Sequence, residues 1–182
     1  MIARSRHNEP EKQVFGVYIK SLLTMKVILS ITEIGKNVKQ NLERKIVSKT
    51  EGRCIAEGFV KPNTVQIISY SSGSVNSENI EFCAVFECMV CHPFEGMLIE
   101  CDVKTITKAG IHAEVNEDGV VPITIFLARD HNYTMRNFAD IKENMKITAK
   151  VIGIRYELND PYICVIGTLA NQNRDKKKSE DK

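Results

Sequence analysis

Residues 93–115, PFEGMLIECDVKTITKAGIHAEV, decide the fold of this chain. Ile99, Cys101 and Val103 alternate with Glu100, Asp102 and Lys104, the period of two expected of a strand with one buried face. Thr107-Lys108-Ala109-Gly110 breaks the alternation, and Ile111-His112-Ala113-Glu114-Val115 starts a second run. A long strand that turns at a glycine and returns at once is how a small OB-type barrel opens. Barrels of this kind commonly bind nucleic acid, so the stretch points to a binding module rather than a catalyst.

The chain after this corner supplies the rest of such a barrel. Strands are expected at 96–106, 111–115, 120–126, 146–156 and 162–169, five in all. Asn159-Asp160-Pro161 is a hairpin turn signal, and Gly153 can relieve a bend in the long fourth strand. The insertion 128–144 is polar but carries Met135, Phe138 and Ile141 three apart, which predicts a helical turn or two plugging one barrel end. The tail 171–182 is too charged to fold alone.

Upstream, 25–31 reads as a strand, and Ile34, Val38, Leu42 and Ile46 form one apolar stripe at helical spacing. Lys36, Lys39, Arg44 and Lys45 occupy the other faces, and Gly52 ends the run. Strands follow at 53–59 and 64–70, with Gly58 expected at a bulge and Pro62-Asn63 at a turn. A polar loop at 71–79 leads into a long apolar strand at 80–92. The expectation is an α+β chain: a small antiparallel sheet with one helix, a boundary near 92–96, and a C-terminal five-stranded OB-type barrel.

Composition narrows the function. The chain has 182 residues, 43% hydrophobic and 26% charged, ordinary for a globular protein of one or two domains. A net charge of +2 is low for a protein that grips duplex DNA unaided, so modest RNA contact, or a partner that supplies most of the positive surface, fits better. No apolar run approaches the ~20 residues that cross a bilayer, so no membrane partner is expected. The first 13 residues are too polar for a secretory signal and read as a disordered extension.

The six cysteines are expected to be free thiols that pack as small apolar groups. Cys88-Met89-Val90-Cys91-His92 contains a CxxC, but in an alternating strand positions three apart face opposite ways. With no second CxxC at zinc-ribbon spacing, no metal and no cofactor are expected.

The order of these parts resembles one family, the larger stalk subunit of multi-subunit DNA-directed RNA polymerases, found in eukaryotic RNA polymerase II and in its archaeal counterpart. The residues that carry the resemblance are Asn37-Val38-Lys39-Gln40-Asn41-Leu42, Glu51-Gly52-Arg53-Cys54, and Gly58-Phe59-Val60. The corner His92-Pro93-Phe94-Glu95-Gly96 looks like the family's linker. Ala109 to Val115, then Val151-Ile152-Gly153-Ile154-Arg155, Asn159-Asp160 and Ile166-Gly167-Thr168-Leu169 complete it. The match runs colinearly over 14–169, and the sequence is divergent enough to fit a polymerase encoded by a large DNA virus.

The resemblance implies a non-catalytic subunit. Residues 14–92 would be a tip domain docking on the polymerase core subunits with a smaller helical stalk subunit. Residues 93–170 would be a barrel touching nascent single-stranded RNA, and 171–182 a disordered tail. The setting implied is the nucleus, or a cytoplasmic replication site and virion for a viral enzyme. Docking candidates are Val85, Phe86 and Met89, apolar in excess of what a small sheet needs, with Pro93 and Phe94 at the corner. An ordinary sheet interior is the plainer account of the first three.

RNA-binding barrels stack bases on aromatics of the second and third strands. The corresponding positions here are Ala109, His112 and Pro122, of which only His112 has a ring. The remaining RNA-binding candidates are charged: Lys104, Lys108, Arg129, His131 and Arg136, placed near one barrel end. Each also reads as a solvated surface group. Two other functions compete. One is a free-standing OB-barrel RNA-binding or translation-related protein, which would not need the N-terminal part. The other is a redox or metal enzyme using Cys88, Cys91 and His92, for which no nucleophile–base pair or phosphate loop offers support.

Overall fold

The computed structural model describes residues 16–132 and 136–170. The expected extension at 1–13 and tail at 171–182 lie outside them. The chain is α+β, with a sheet and one helix on the N-terminal side and a closed five-stranded barrel after it.

The sheet is organised by two 13-residue strands, β1 (Tyr18–Ser30) and β6 (Asn79–Cys91), paired antiparallel along their whole length. One face of the pair, carrying Val27, Leu29, Phe82, Ala84, Phe86 and Cys88, is buried. The helix α1 (Val38–Thr50) lays its Leu42 and Ile46 stripe into the same core. It starts four residues later than the stripe predicts, because Ile31–Glu33 form a 3-10 turn held by Ser30 N–H donating to the Glu33 carboxylate at 3.0 Å. Ile34 is extended but still packs on that core.

The short strands β2 (Cys54–Ile55), β3 (Gly58–Val60), β4 (Gln66–Tyr70) and β5 (Ser74–Asn76) complete the sheet. Three expectations change here. β1 begins seven residues before the expected 25, because β6 offers it a partner throughout. The expected strand at 53–59 is a hairpin, and Gly58 is no bulge. It has φ +132, and a Cβ there would sit 2.3 Å from the Cys91 carbonyl, so glycine lets β3 approach β6. The expected loop at 71–79 contains β5, which turns into β6 through Ser77 at φ 57.

The barrel consists of β7 (Leu98–Ile106), β8 (Gly110–Glu117), β9 (Val120–Ala128), β10 (Lys146–Arg155) and β11 (Ile163–Leu169). Its order is β10-β11-β9-β8-β7, closed by β7 against β10, and only β11 with β9 is parallel. This five-stranded mixed arrangement fits an OB fold. Alternation places Ile99, Cys101, Val103, Ile111, Ala113 and Val115 inside, as the opening stretch predicts. Gly153 lies at a register shift where Ile152 is the extra residue. The insertion after β9 closes one end, with Phe138 and Ile141 buried in the barrel core.

The corner at 92–96 separates strands but not cores. Val17, Cys54, Phe59 and Cys91 from the sheet side belong to the same buried cluster as the barrel interior.

Candidate nucleic-acid interface

Two ends of the barrel differ in what they touch. At the sheet-side end, the β8–β9 turn carries Asp118, whose carboxylate meets the Lys61 ammonium at 2.7 Å. The β10–β11 turn is bound into the sheet: Cys54 N–H donates to Asp160 O and Asn159 N–H to Cys54 O, both at 2.8 Å. Tyr156 OH donates to Ala56 O at 3.1 Å. The Asp118 carboxyl is held below its usual range by the Lys61 hydrogen bond, and the same bond raises Lys61. At the opposite, free end lie the β7–β8 turn and the insertion. Arg129 N–H donates to Ala109 O at 2.9 Å, so this bond joins the two segments.

The charged candidates do not form one cluster. Lys108 and Arg129 flank the Gly110–Ala128 register pair at the free end, and both are exposed. His131 follows in the exposed 3-10 helix Arg129–His131, which also carries Asp130. Arg136 begins the 3-10 helix Arg136–Asp140, and its side chain is not among those described. Lys104 stands apart on the outside of β7, 3.8 Å from the Glu114 carboxylate. That ion pair partly offsets its charge, whereas no ion pair is formed by Lys108 among the described residues.

The outer barrel surface carries two adjacent rows set by strand register. One runs Thr105, His112, Phe126, Ile166, Gly153 across β7, β8, β9, β11 and β10. The next runs Asp102, Glu114, Thr124, Cys164, Arg155 across the same strands. The first row carries no charged carboxylate or guanidinium and includes two rings, with His112 exposed and Ile166 48% exposed. The His112 and Phe126 rings lie 4.7 Å apart, tilted by 41°. Phe126 rests over Gly110, where a Cβ would come within 3.0 Å of its ring and 2.3 Å of Leu127 O.

Sequence reasoning missed Phe126. It assigned the ring-bearing positions to Ala109, His112 and Pro122; Pro122 is buried and Ala109 lies in the turn. The available signal was parity, since Thr124 and Phe126 share a face. Which residue of that face meets His112 depends on register, which the sequence alone does not give.

On the sheet, the apolar docking candidates separate by face. Phe86 is 1% exposed in the core against α1, and Pro93 is buried at the corner, so neither offers a contact surface. Val85 and Met89 are half-buried on the opposite face, and Phe94 is 58% exposed at the corner. That outer face also presents Leu22, 64% exposed, and Ile28, neither of them among the sequence candidates, which were sought on β6 and at the corner. Lys20–Glu87 and Lys26–Glu81 bridge it at 2.7 and 2.9 Å. These exposed pairs contribute little to stability.

The CxxC is divided between cores: Cys88 packs with the helix side of the sheet and Cys91 with the barrel interior. Burial pushes the thiols up, to about 11 for Cys54 and Cys88 and about 12 for Cys91 and Cys101. Such thiols are poor nucleophiles and poor metal ligands at neutral pH. Among the described residues, no group of three or more metal-ligating side chains occurs.

No protein-family model matches the chain. It is similar to DNA-directed RNA polymerase II subunit 7 of Arabidopsis thaliana, 27% identical over 152 residues, covering 74% of this chain and 82% of the relative. DNA-directed RNA polymerase II subunit RPB7 of Glycine max matches with the same identity and coverage. A protein of Acanthamoeba polyphaga mimivirus, provisionally named a DNA-directed RNA polymerase subunit, is 26% identical over 180 residues, covering 91% of this chain and 89% of its own length. The resemblance read from the sequence is therefore matched by polymerase subunits, a viral one among them.

Proposed function

We propose that this chain is the larger, non-catalytic stalk subunit of a DNA-directed RNA polymerase. The observation that carries the reading is colinear similarity to RNA polymerase II subunit 7 over most of both chains. Residues 14–92 act as the tip that docks on the polymerase core beside a smaller helical stalk subunit. Residues 93–170 hold the barrel near the path of the emerging transcript, with the free end toward RNA. Lys108, Arg129, His131 and His112 make that contact, with Arg136 and the partly neutralised Lys104 beside them. The subunit works in the nucleus, or, in a virus-encoded enzyme, at the replication site and in the virion.

The outer sheet face is the docking surface in this reading. It combines exposed Leu22 and Ile28 with Val85 and Met89, and Phe94 adds an exposed ring at the corner. The sheet shares a core with the barrel, which gives the N-terminal part a role that a free-standing RNA-binding barrel would not require.

The experiment is a native pull-down of the tagged full chain followed by mass spectrometry. Large polymerase subunits should copurify, and Leu22→Asp with Val85→Asp should remove them while the chain stays folded. A wild-type chain that migrates alone would overturn the assignment. Polymerase retained by the double variant would move docking off this face.

A further inference from the structure

We infer that the segment 171–182 supplies the main electrostatic grip on RNA, through Lys176, Lys177 and Lys178 acting on phosphates at the free end of the barrel. The inference deepens the proposed RNA contact and rests on it. Charge is spread unevenly along the chain. Residues 93–170, the barrel part, hold eight Lys and Arg against eleven Asp and Glu, a net charge of −3. Residues 171–182 hold five against three, and three of the five are consecutive. The barrel part by itself therefore repels a polyanion at long range. Its exposed cations at the free end, Lys108 and Arg129, are few, and Asp130 stands exposed beside them. An attached cationic run on that end corrects the sign where the transcript is to be met.

The fold delivers the segment to that end. β11 runs parallel to β9, with Gly167 opposite Leu127, so both strands finish at the free end. The Leu169 N–H donates to Asn132 Oδ1 and the Ala170 N–H to Thr148 O, both at 2.8 Å. Asn132 is 1% exposed, and its Nδ2 donates to Ala128 O at 2.8 Å. One buried amide thus ties the end of β11 to the turn that bears Arg129 and His131. Lys176 lies six residues beyond Ala170, a span of up to about 20 Å. The three lysines are therefore within reach of RNA held at Lys108 and Arg129. Asp175, Glu180 and Asp181 bound the run, so the contact is short, about three phosphates. Lysine meets phosphate as a point charge and reads no base, so this segment takes the RNA backbone without sequence preference.

The test is fluorescence anisotropy of a labelled oligouridine with the full-length chain over a range of salt. Lys176→Gln, Lys177→Gln and Lys178→Gln together should weaken binding about tenfold or more at 0.1 M salt. They should also flatten the slope of log affinity against log salt by about 2, three single-strand contacts at ~0.7 each. Arg at the same three positions should keep both at the wild-type values. Lys36→Gln, Lys39→Gln and Lys49→Gln remove the same charge from exposed positions on α1. They should leave binding close to wild type, because charges further off than a Debye length of about 10 Å at 0.1 M salt are screened. Equal loss from the α1 variant would reduce the effect to net charge and overturn the inference. Tighter binding by the triple Gln variant at 176–178 would mean that these lysines cover the barrel's own carboxylates, and would overturn it too. If that variant binds as the wild type does, the segment has no part in the grip; Lys108→Glu weakened in the same assay then leaves the RNA contact standing. If the wild type fails to bind oligouridine at low salt, free or within the purified polymerase, the contact and the inference fall together. Thermal melts matching the wild type show that each variant is folded.

Discussion

At the sheet-side end of the barrel, the β8–β9 turn gives Asp118 to Lys61 and the β10–β11 turn exchanges backbone hydrogen bonds with Cys54. At the free end, the β7–β8 turn holds Lys108 in solvent, and the insertion turns Asn132, Phe138 and Ile141 inward. The same structural part, a hairpin turn, thus serves as a joint at one end and stands in solvent at the other, where the RNA contact is proposed. Burial decides which. Phe59 and Cys91 extend the barrel core across the joint, so ordering one half orders the other. Among the described residues the free end packs against no part of the sheet, and Lys108 and Arg129 stay exposed there.

The most damaging way to test this contrast is to empty the joint. Phe59 is buried between β2 and β6 in the shared cluster. Phe59→Ala should cost about 3–5 kcal/mol, the range for deleting a buried ring. Because the core is continuous, sheet and barrel should lose stability together in a single urea transition. Alkylation reads the two halves separately. Cys83 and Cys164 are exposed and should react in the native protein, whereas Cys88 in the sheet core and Cys101 in the barrel should stay protected. In Phe59→Ala, Cys88 and Cys101 should become reactive at the same urea concentration. Two separate transitions would show that the halves are independent and the joint merely a contact.

A milder perturbation belongs at the free end. Gly110→Ala places a methyl against Leu127 O and the Phe126 ring, and should destabilise the chain by about 1–3 kcal/mol through overpacking. Because the core is shared, it should lower the one transition of sheet and barrel together, as Phe59→Ala does but less, while Cys88 stays as protected as in the wild type under native conditions. A Gly110→Ala chain with full stability would mean that β8 and β9 can separate without cost.

Much of this was legible in the chain itself, and the exceptions share a cause. The alternation from Ile99 to Val115 gave two barrel strands, their inward residues and the turn between them, because a strand with one wet face writes its period locally. The Leu42–Ile46 stripe gave the helix for the same reason. What escaped depends on a partner far away in sequence. The first seven residues of β1 show weak alternation and become a strand because β6 pairs with them. Phe126 meets His112 only through register, and Phe59 joins the barrel interior only through tertiary packing. Phe86 was readable either as sheet interior or as a docking residue, and packing in the core with α1 decides for the interior.

The smallest expected effect concerns the Lys61–Asp118 link, the single ion pair across the joint among the described residues. Asp118 has its carboxyl lowered in the folded chain, so its stabilisation is complete above the ordinary carboxylate value of about 4 and disappears as pH falls through the lower folded value. Lys61 is raised, so its share is complete below the ordinary lysine value of about 10.4 and disappears as pH rises through the higher folded value. Asp118→Asn should therefore leave a small deficit in melting temperature at neutral pH that shrinks toward zero in acid, and added salt should shrink it as well. Thermal melts of both proteins down the acid limb measure that difference directly. A deficit constant with pH would mean that Asp118 acts through the shape of its turn, where it holds φ 55, and not through its charge. The joint would then be held by its buried core and backbone hydrogen bonds alone.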